Sequence, residues 1–283
     1  MKKAVLISIT LLCVLTVFGQ KEVATPDELK TFFNTKTMVV VDDNPLSEYN
    51  MEIKDVVKKN WKLTEYEFID ETKFEKLRMD ANYSFLTVDK VFFDKDKTQA
   101  HYEFLCLSLG GNYRTTTDMP QLCAVPLCYY GVDEESYVYK IGTLINFIQN
   151  HVLLTSKNPD LNSDNIITHY NRNISSVKEK TFYIIKDEMA DDADTETEIK
   201  KVYPYKIQFV TRDDIQEAIA EDNDEVVFLH KVGPEGTKSN ARCFKILMGA
   251  NDAQLYYFDY HMIDDEKKQD GFLLKDFKKL ANQ

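Results

Sequence analysis

Two segments of this chain run through the same pattern about 144 residues apart, and this repeat limits the fold more than any other feature. The first copy opens on Lys36-Thr37-Met38-Val39-Val40-Val41 and the second on Lys180-Thr181-Phe182-Tyr183-Ile184-Ile185, both strand-like apolar runs. Each leads through an acidic stretch to a Glu-Ile-Lys helix start, Glu52-Ile53-Lys54 or Glu198-Ile199-Lys200, and then to a second strand, Tyr66–Ile69 or Lys206–Val210. A short amphipathic helix follows, Glu71–Met79 or Asp213–Ala220. After it come a third strand, Tyr83–Val88 or Val226–Val232, and two more at Tyr102–Leu109 and Leu122–Tyr130, or Arg242–Met248 and Leu255–Met262. Helices at Glu134–Leu154 and Phe272–Leu280 close the two copies, the first with Val138, Ile141, Ile145, Ile148 and Val152 at three- and four-residue intervals.

The order strand, helix, strand, helix, three strands, helix predicts an α/β (α+β) fold with two tandem copies of a β-α-β-α-β-β-β-α domain and mixed sheets. Alternation of strand and helix implies parallel neighbours, and three closely spaced strands imply an antiparallel meander. The expected domains are 36–154 and 180–283, with the polar stretch 155–179 as a linker. At 283 residues, with 17 Phe and 16 Tyr, the chain has enough apolar mass to bury a core in each.

Lys2 and Lys3 precede an apolar run from Ala4 to Phe18, and Val17 and Gly19 fit a signal-peptidase site, so residues 1–19 read as a signal peptide cleaved before Gln20. Lipidation at Cys13 is the competing reading, and Leu12 stands where it wants a small residue. The Met-Lys-Lys start and the Phe18-Gly19-Gln20 end resemble secretory signals of Bacteroidetes-type Gram-negative bacteria, and the element order resembles small α/β domains of exported envelope proteins. That resemblance implies a periplasmic or extracellular address. A net charge of -12 works against nucleic acid as a partner, and the absence of a second long apolar run argues against a membrane-embedded chain.

Chemistry-bearing groups are sparse. No GxSxG, HExxH or P-loop motif occurs. His230, Cys243, Asp259 and His261 fall on three adjacent predicted strands of the second copy, and Cys, His and Asp are the components of an activated thiol nucleophile. The competing reading is a polar sheet face, because the first copy carries no such set. Alternation puts Tyr257, Asp259 and His261 on one face, a candidate binding surface beside a cleft between the copies, with Tyr129, Tyr130, Tyr256 and Tyr260 as neighbouring aromatics.

Asp160, Asn162 and Asp164 take positions 1, 3 and 5 of a calcium-loop pattern. Asn165 at position 6 and Asn171 at position 12 depart from it, so the preferred reading is a linker of Asx turns with no cofactor. A hairpin centred near Arg114 and Thr115 would set Cys106 almost opposite Cys123, leaving open either a disulfide or two buried thiols. The run Asp187–Glu198, with seven acids, reads as a solvated loop, and Gly110-Gly111 and Gly233-Pro234-Glu235-Gly236 read as hairpin turns. The expected function is that of an exported, non-enzymatic envelope protein binding a protein or small-ligand partner. The alternative is a hydrolase or thiol enzyme using the second-copy set.

Overall fold

The computed structural model describes residues 23–96, 98–235, 240–263 and 268–283; the expected signal peptide, residues 1–19, and Gly236 lie outside the described residues. The first half contains helix α1 (Pro26–Phe32), strand β1 (Lys36–Val40), α2 (Glu48–Asn60), β2 (Glu65–Ile69), α3 (Glu71–Leu77), β3 (Tyr83–Phe92), β4 (His101–Leu109), β5 (Gln121–Tyr129) and α4 (Ile141–Lys157). The second contains α5 (Ile166–Asn171), β6 (Thr181–Ile184), α6 (Glu196–Lys200), β7 (Ile207–Phe209), α7 (Arg212–Ala220), β8 (Val226–Val232), β9 (Arg242–Gly249), β10 (Leu255–Met262) and α8 (Leu274–Asn282).

These elements build a mixed α/β structure with two five-stranded sheets, ordered β2-β1-β3-β4-β5 and β7-β6-β8-β9-β10. In each, the first strand pairs in parallel with the second and third, and the last three form an antiparallel meander. The chain leaves β1 toward one edge through α2 and returns past it through α3. Right-handed crossovers running in opposite directions put their helices on opposite faces of a sheet. Burial agrees: Val39 and Leu86 pack with α2 and α4, while Met38 and Phe85 pack with Phe74 and Leu77 of α3. In the second sheet, Phe182, Leu229 and Leu247 pack with Ile199 of α6 and Phe277 and Leu280 of α8.

The opposite face of that second sheet, with Ile215 and Ala218 of α7, joins the α2 and α4 cluster, so one continuous apolar cluster draws on both halves. Ile141, Leu144, Ile145, Ile148 and Val152 of α4 are all fully buried in it, each contributing about 1.5 to 3 kcal/mol on the usual transfer scale. At the far end the halves are tied by Tyr102 against Phe244, ring centroids 5.3 Å apart, and by a bidentate pair from Arg242 to Asp96 at 2.5 and 2.6 Å.

The segment expected as a linker, 155–179, holds the end of α4, all of α5 and a 3-10 turn, and it buries Tyr170, Ile174 and Val177. α4 starts at Ile141, seven residues after the expected Glu134, because Glu134 is engaged elsewhere. Its carboxylate accepts from Ser47 Oγ at 2.9 Å and from Tyr49 N at 3.1 Å, capping α2. Among the described residues no helix is long and apolar enough to cross a membrane.

Candidate functional site

Cys243, Asp259 and His261 lie on the face of the second sheet beneath α8, with His261 directly opposite Cys243 in the β9–β10 ladder. His230 does not join them. Its neighbours Leu229 and Lys231 face α8, so alternation turns His230 the other way, where its Nε2 lies 2.8 Å from the Pro126 carbonyl of β5. A carbonyl only accepts, so Nε2 carries the proton. Burial holds His230 down at about 3 and pushes the Cys243 thiol up, which keeps imidazole and thiol neutral. Cys243 Sγ is aimed at the Gly271 carbonyl at 3.7 Å, and His261 Nε2 meets the Gln269 carbonyl at 2.8 Å. The four residues therefore do not converge on one point.

Tyr257 is fully buried, its hydroxyl donating to Asp259 Oδ2 at 2.8 Å, and Lys279 of α8 holds the same oxygen at 3.0 Å. His261 is buried as well. Helix α8 covers the face on which sequence alternation places this set, so Tyr257 and His261 present no surface to a partner. A bulge at Leu255/Tyr257 also turns Tyr256 toward the α8 side rather than away from it.

In the stretch 160–165 the side chains serve the loop itself. Asn162 Oδ1 accepts from Asp164 N at 2.9 Å, and Asn165 bonds Asn162 N and the Asp160 carbonyl. Among the described residues no three His, Cys, Asp or Glu side chains are grouped to hold a metal ion. The expected Cys106–Cys123 opposition is off by one. Register shifts at Glu103/Phe104 and Leu107/Ser108 set Cys123 opposite Leu107, so Cys106 and Cys123 point to opposite faces and no disulfide joins them.

Sheet topology points to a different place. In an open α/β sheet the crevice forms where successive crossovers leave a strand in opposite directions, beyond the carboxyl ends of the strands. In the first half that position lies past β1 and β3, and a crevice of about 550 Å³ occupies it. Val40, Val41, Phe74, Val88 and Val132 supply apolar wall; Tyr49 and Tyr137 supply aromatic wall. The charged lining comprises Asp42, Glu71, Asp89, Glu103 and Glu134 against a single cation, Lys90. Lys90 Nζ sits 4.8 Å over the Tyr130 ring.

Glu103 Oε2 accepts from Cys128 Sγ at 3.4 Å, and two more of these acids have structural duties. Glu134 caps α2, and Asp42 Oδ1 accepts from Asn44 N at 2.6 Å and Asn50 Nδ2 at 2.9 Å. The α2 N-terminus, which in many α/β proteins receives a ligand phosphate, is thus already filled by the protein's own carboxylate. Thr87, also in the lining, is only 7% exposed, and its Oγ1 is buried with no hydrogen-bond partner. A buried hydroxyl left unpaired costs about 1 to 3 kcal/mol.

The matching position in the second half, past β6 and β8, holds a smaller crevice of about 280 Å³ that includes Ile185, Glu188, Lys231 and Asp270. Here the protein supplies its own cations. Lys140 reaches across from the first half to Glu188 Oε1 at 2.6 Å, and Lys231 bonds Asp270 Oδ2 at 2.9 Å. Burial pulls both ammonium groups down, but the facing carboxylates outweigh it and hold them above the ordinary lysine value. Gly233 makes room for this arrangement, since a Cβ there would collide with the Asp270 carboxylate.

A groove of about 740 Å³ also runs between the halves, with Glu52, Asp55, Asp222 and Asp252 set among Lys59 and Lys62. Two of its amides are committed to backbone: Gln149 bonds Lys62 N and the Asn60 carbonyl, and Asn150 bonds the Asp252 carbonyl. None of Tyr129, Tyr130, Tyr256, Tyr257 or Tyr260 lines this groove. Comparison with known proteins finds no match to a family model, a curated protein or a solved structure.

Proposed function

We propose that this chain is a non-enzymatic binding protein, exported under its Lys2-Lys3 leader, that captures its ligand in the crevice past β1 and β3. One observation carries this: at the switch point Val40, Val88, Tyr49 and Tyr137 wall a crevice into which several carboxylates and a single lysine project. A volume of about 550 Å³ falls within the range of about 300 to 1,000 Å³ common for small-molecule pockets. Apolar walls with a few placed polar groups are the usual composition of such sites.

No catalytic set accompanies the crevice. Its lining holds carboxylates and hydroxyls but no histidine, cysteine or serine, so nothing there combines a nucleophile with a base of matched basicity. Capture is what the geometry supports best. NMR mapping of a chemically mixed fragment library on the full chain tests it: shifts should gather on Thr87, Val88 and Tyr137, and hits confined to the groove between the halves would overturn the assignment.

A further inference from the structure

We infer that the β1/β3 crevice takes an extended polypeptide segment of a partner protein, which adds to the sheet along the free edge of β3; the inference rests on the crevice being the binding site. β3 runs ten residues, Tyr83–Phe92, and pairs with β4 from Ser84 opposite Leu109 to Phe92 opposite His101. β1 covers its other edge only as far as Leu86. Past Val40 the chain follows β2 instead, where Val41 N donates to the Ile69 carbonyl. Backbone groups of successive strand residues point to alternate edges. Gly110 N donates to the Tyr83 carbonyl, which sets the odd-numbered residues toward β4, and Lys36 N donates to the Asn82 carbonyl, which sets the even-numbered ones toward β1. Val88, Lys90 and Phe92 therefore turn N–H and C=O into the space that β1 vacates, and among the described residues no hydrogen bond is made to these outward groups.

The crevice lies on that edge: Val88 and Lys90 line it together with Val40 and Val41 at the end of β1 and Glu71 and Phe74 of α3. A strand laid in the line of β1 meets the outward groups at the spacing of alternate residues, about 6.8 Å, and sends its own side chains by turns to the two faces of the sheet. Main-chain pairing of this kind supplies affinity, and the pockets beside it choose the sequence. Two other strand edges are closed by the protein itself. On β10, Asn171 bonds Phe258 N at 2.7 Å and the Phe258 carbonyl at 3.0 Å; on β5, Ala24 N donates to the Gln121 carbonyl. A lysine guards an open edge when it projects along it. Lys90 instead lays its Nζ 4.8 Å over the Tyr130 ring, across β4 from the edge, and Phe92 is left 53% exposed. A second copy of this chain is a poor occupant, because its sheets carry helices on their faces and a crevice of about 550 Å³ admits only a single segment.

Amide exchange and NMR titration of the full chain test this with the capped peptide Lys-Val-Thr-Val-Lys, made basic because the lining holds more carboxylates than cations. In the free protein the amides of Val88 and Lys90 should exchange faster than those of Asp89 and Val91. Protection of Val88 and Lys90 in a dimeric free protein would assign the edge to a second copy and overturn the inference. The peptide should shift Val88, Lys90 and Phe92 saturably and slow exchange at Lys90. N-methylation of its two valines, or of its threonine and last lysine, removes the donors of one peptide edge at a time. One set should weaken binding about tenfold and the other leave it within about twofold. The same effect from both sets, or no saturable shift with the parent peptide, would overturn the inference. Lys90→Pro removes only an outward N–H, which an edge strand tolerates. With folding confirmed by urea midpoint, it should weaken the peptide about fivefold, whereas Lys90→Ala, which keeps the amide, should not; equal binding by the two would overturn the inference. If fragments still map to Val88 and Tyr137 when the peptide does not, the peptide class alone fails; if nothing maps there, the binding site fails with it.

Discussion

Lys140, the residue before α4, donates to Glu188 Oε1 at 2.6 Å across the junction of the two halves, with its own side chain fully buried and that of Glu188 12% exposed. Two charges withdrawn from water in this way stabilise the junction only while both are present. Lys140→Met should therefore cost about 3 to 5 kcal/mol by leaving the Glu188 carboxylate buried and unpaired, and Lys140→Met combined with Glu188→Leu should recover most of that. Urea unfolding of the single and double variants measures it. A double variant no more stable than Lys140→Met would show that the pair is not what holds this contact.

Thr87→Val replaces the unpartnered hydroxyl with a methyl of nearly the same shape. Without ligand the variant should be more stable than the wild type by about 1 to 3 kcal/mol, the cost of an unpaired buried hydroxyl. Most core substitutions destabilise, so a gain here marks a group kept for something other than folding. A loss of stability in the same urea assay would mean that the hydroxyl is bonded in the unliganded protein.

His230 is neutral in the folded chain, with burial holding it down at about 3 against an ordinary value of 6.5. The unfolded chain protonates below about pH 6.5 while the folded one does not, so this group's stability is fully present above that pH and is lost as pH falls toward about 3. His230→Gln keeps a donor for the Pro126 carbonyl and has no charge to gain. The difference in unfolding free energy between variant and wild type should be flat above about pH 7 and move in favour of Gln by about 1.4 kcal/mol per pH unit below about 6. A difference independent of pH would show His230 protonated in the fold.

Tyr257 is a core residue whose hydroxyl is bonded to Asp259. Tyr257→Phe should cost about 1 kcal/mol and Tyr257→Ala about 3 to 5 kcal/mol, both without altering ligand capture except through folding. A Tyr257→Ala variant of wild-type stability in thermal unfolding would restore the surface reading of that strand.

The fold was readable in the sequence wherever a side-chain period was clean. Val226–Val232 and Leu255–Met262 lie within the bounds that alternation gives them, and the repeated element order anticipates two sheets of the same strand order. Local signals were weaker: Thr25-Pro26-Asp27-Glu28, a complete capping box, starts α1, but the seven residues of that helix are too few to show a periodic apolar face. Lys231 and Lys245 interrupt otherwise apolar strands, which is itself a sign of buried cations needing acids; their partners Asp270 and Asp276 are 39 and 31 residues away and could not be named from spacing.

The candidate site was illegible for a related reason. Asp42, Glu71, Thr87, Glu103 and Glu134 share no motif and meet only because β1 stops at Val40 while β3 runs on past it, where the crossovers diverge. The group that sequence did single out, His230, Cys243, Asp259 and His261, failed on alternation alone, since His230 lies one residue out of phase with the α8 face.

The most direct measurement is a crystal structure of the full chain soaked with the fragment that shifts Val88 and Tyr137 most. The account predicts density for that fragment in the crevice past β1, against Val88, Tyr49 and Tyr137. Density only in the groove between the halves, with the β1/β3 crevice filled by solvent, would contradict it.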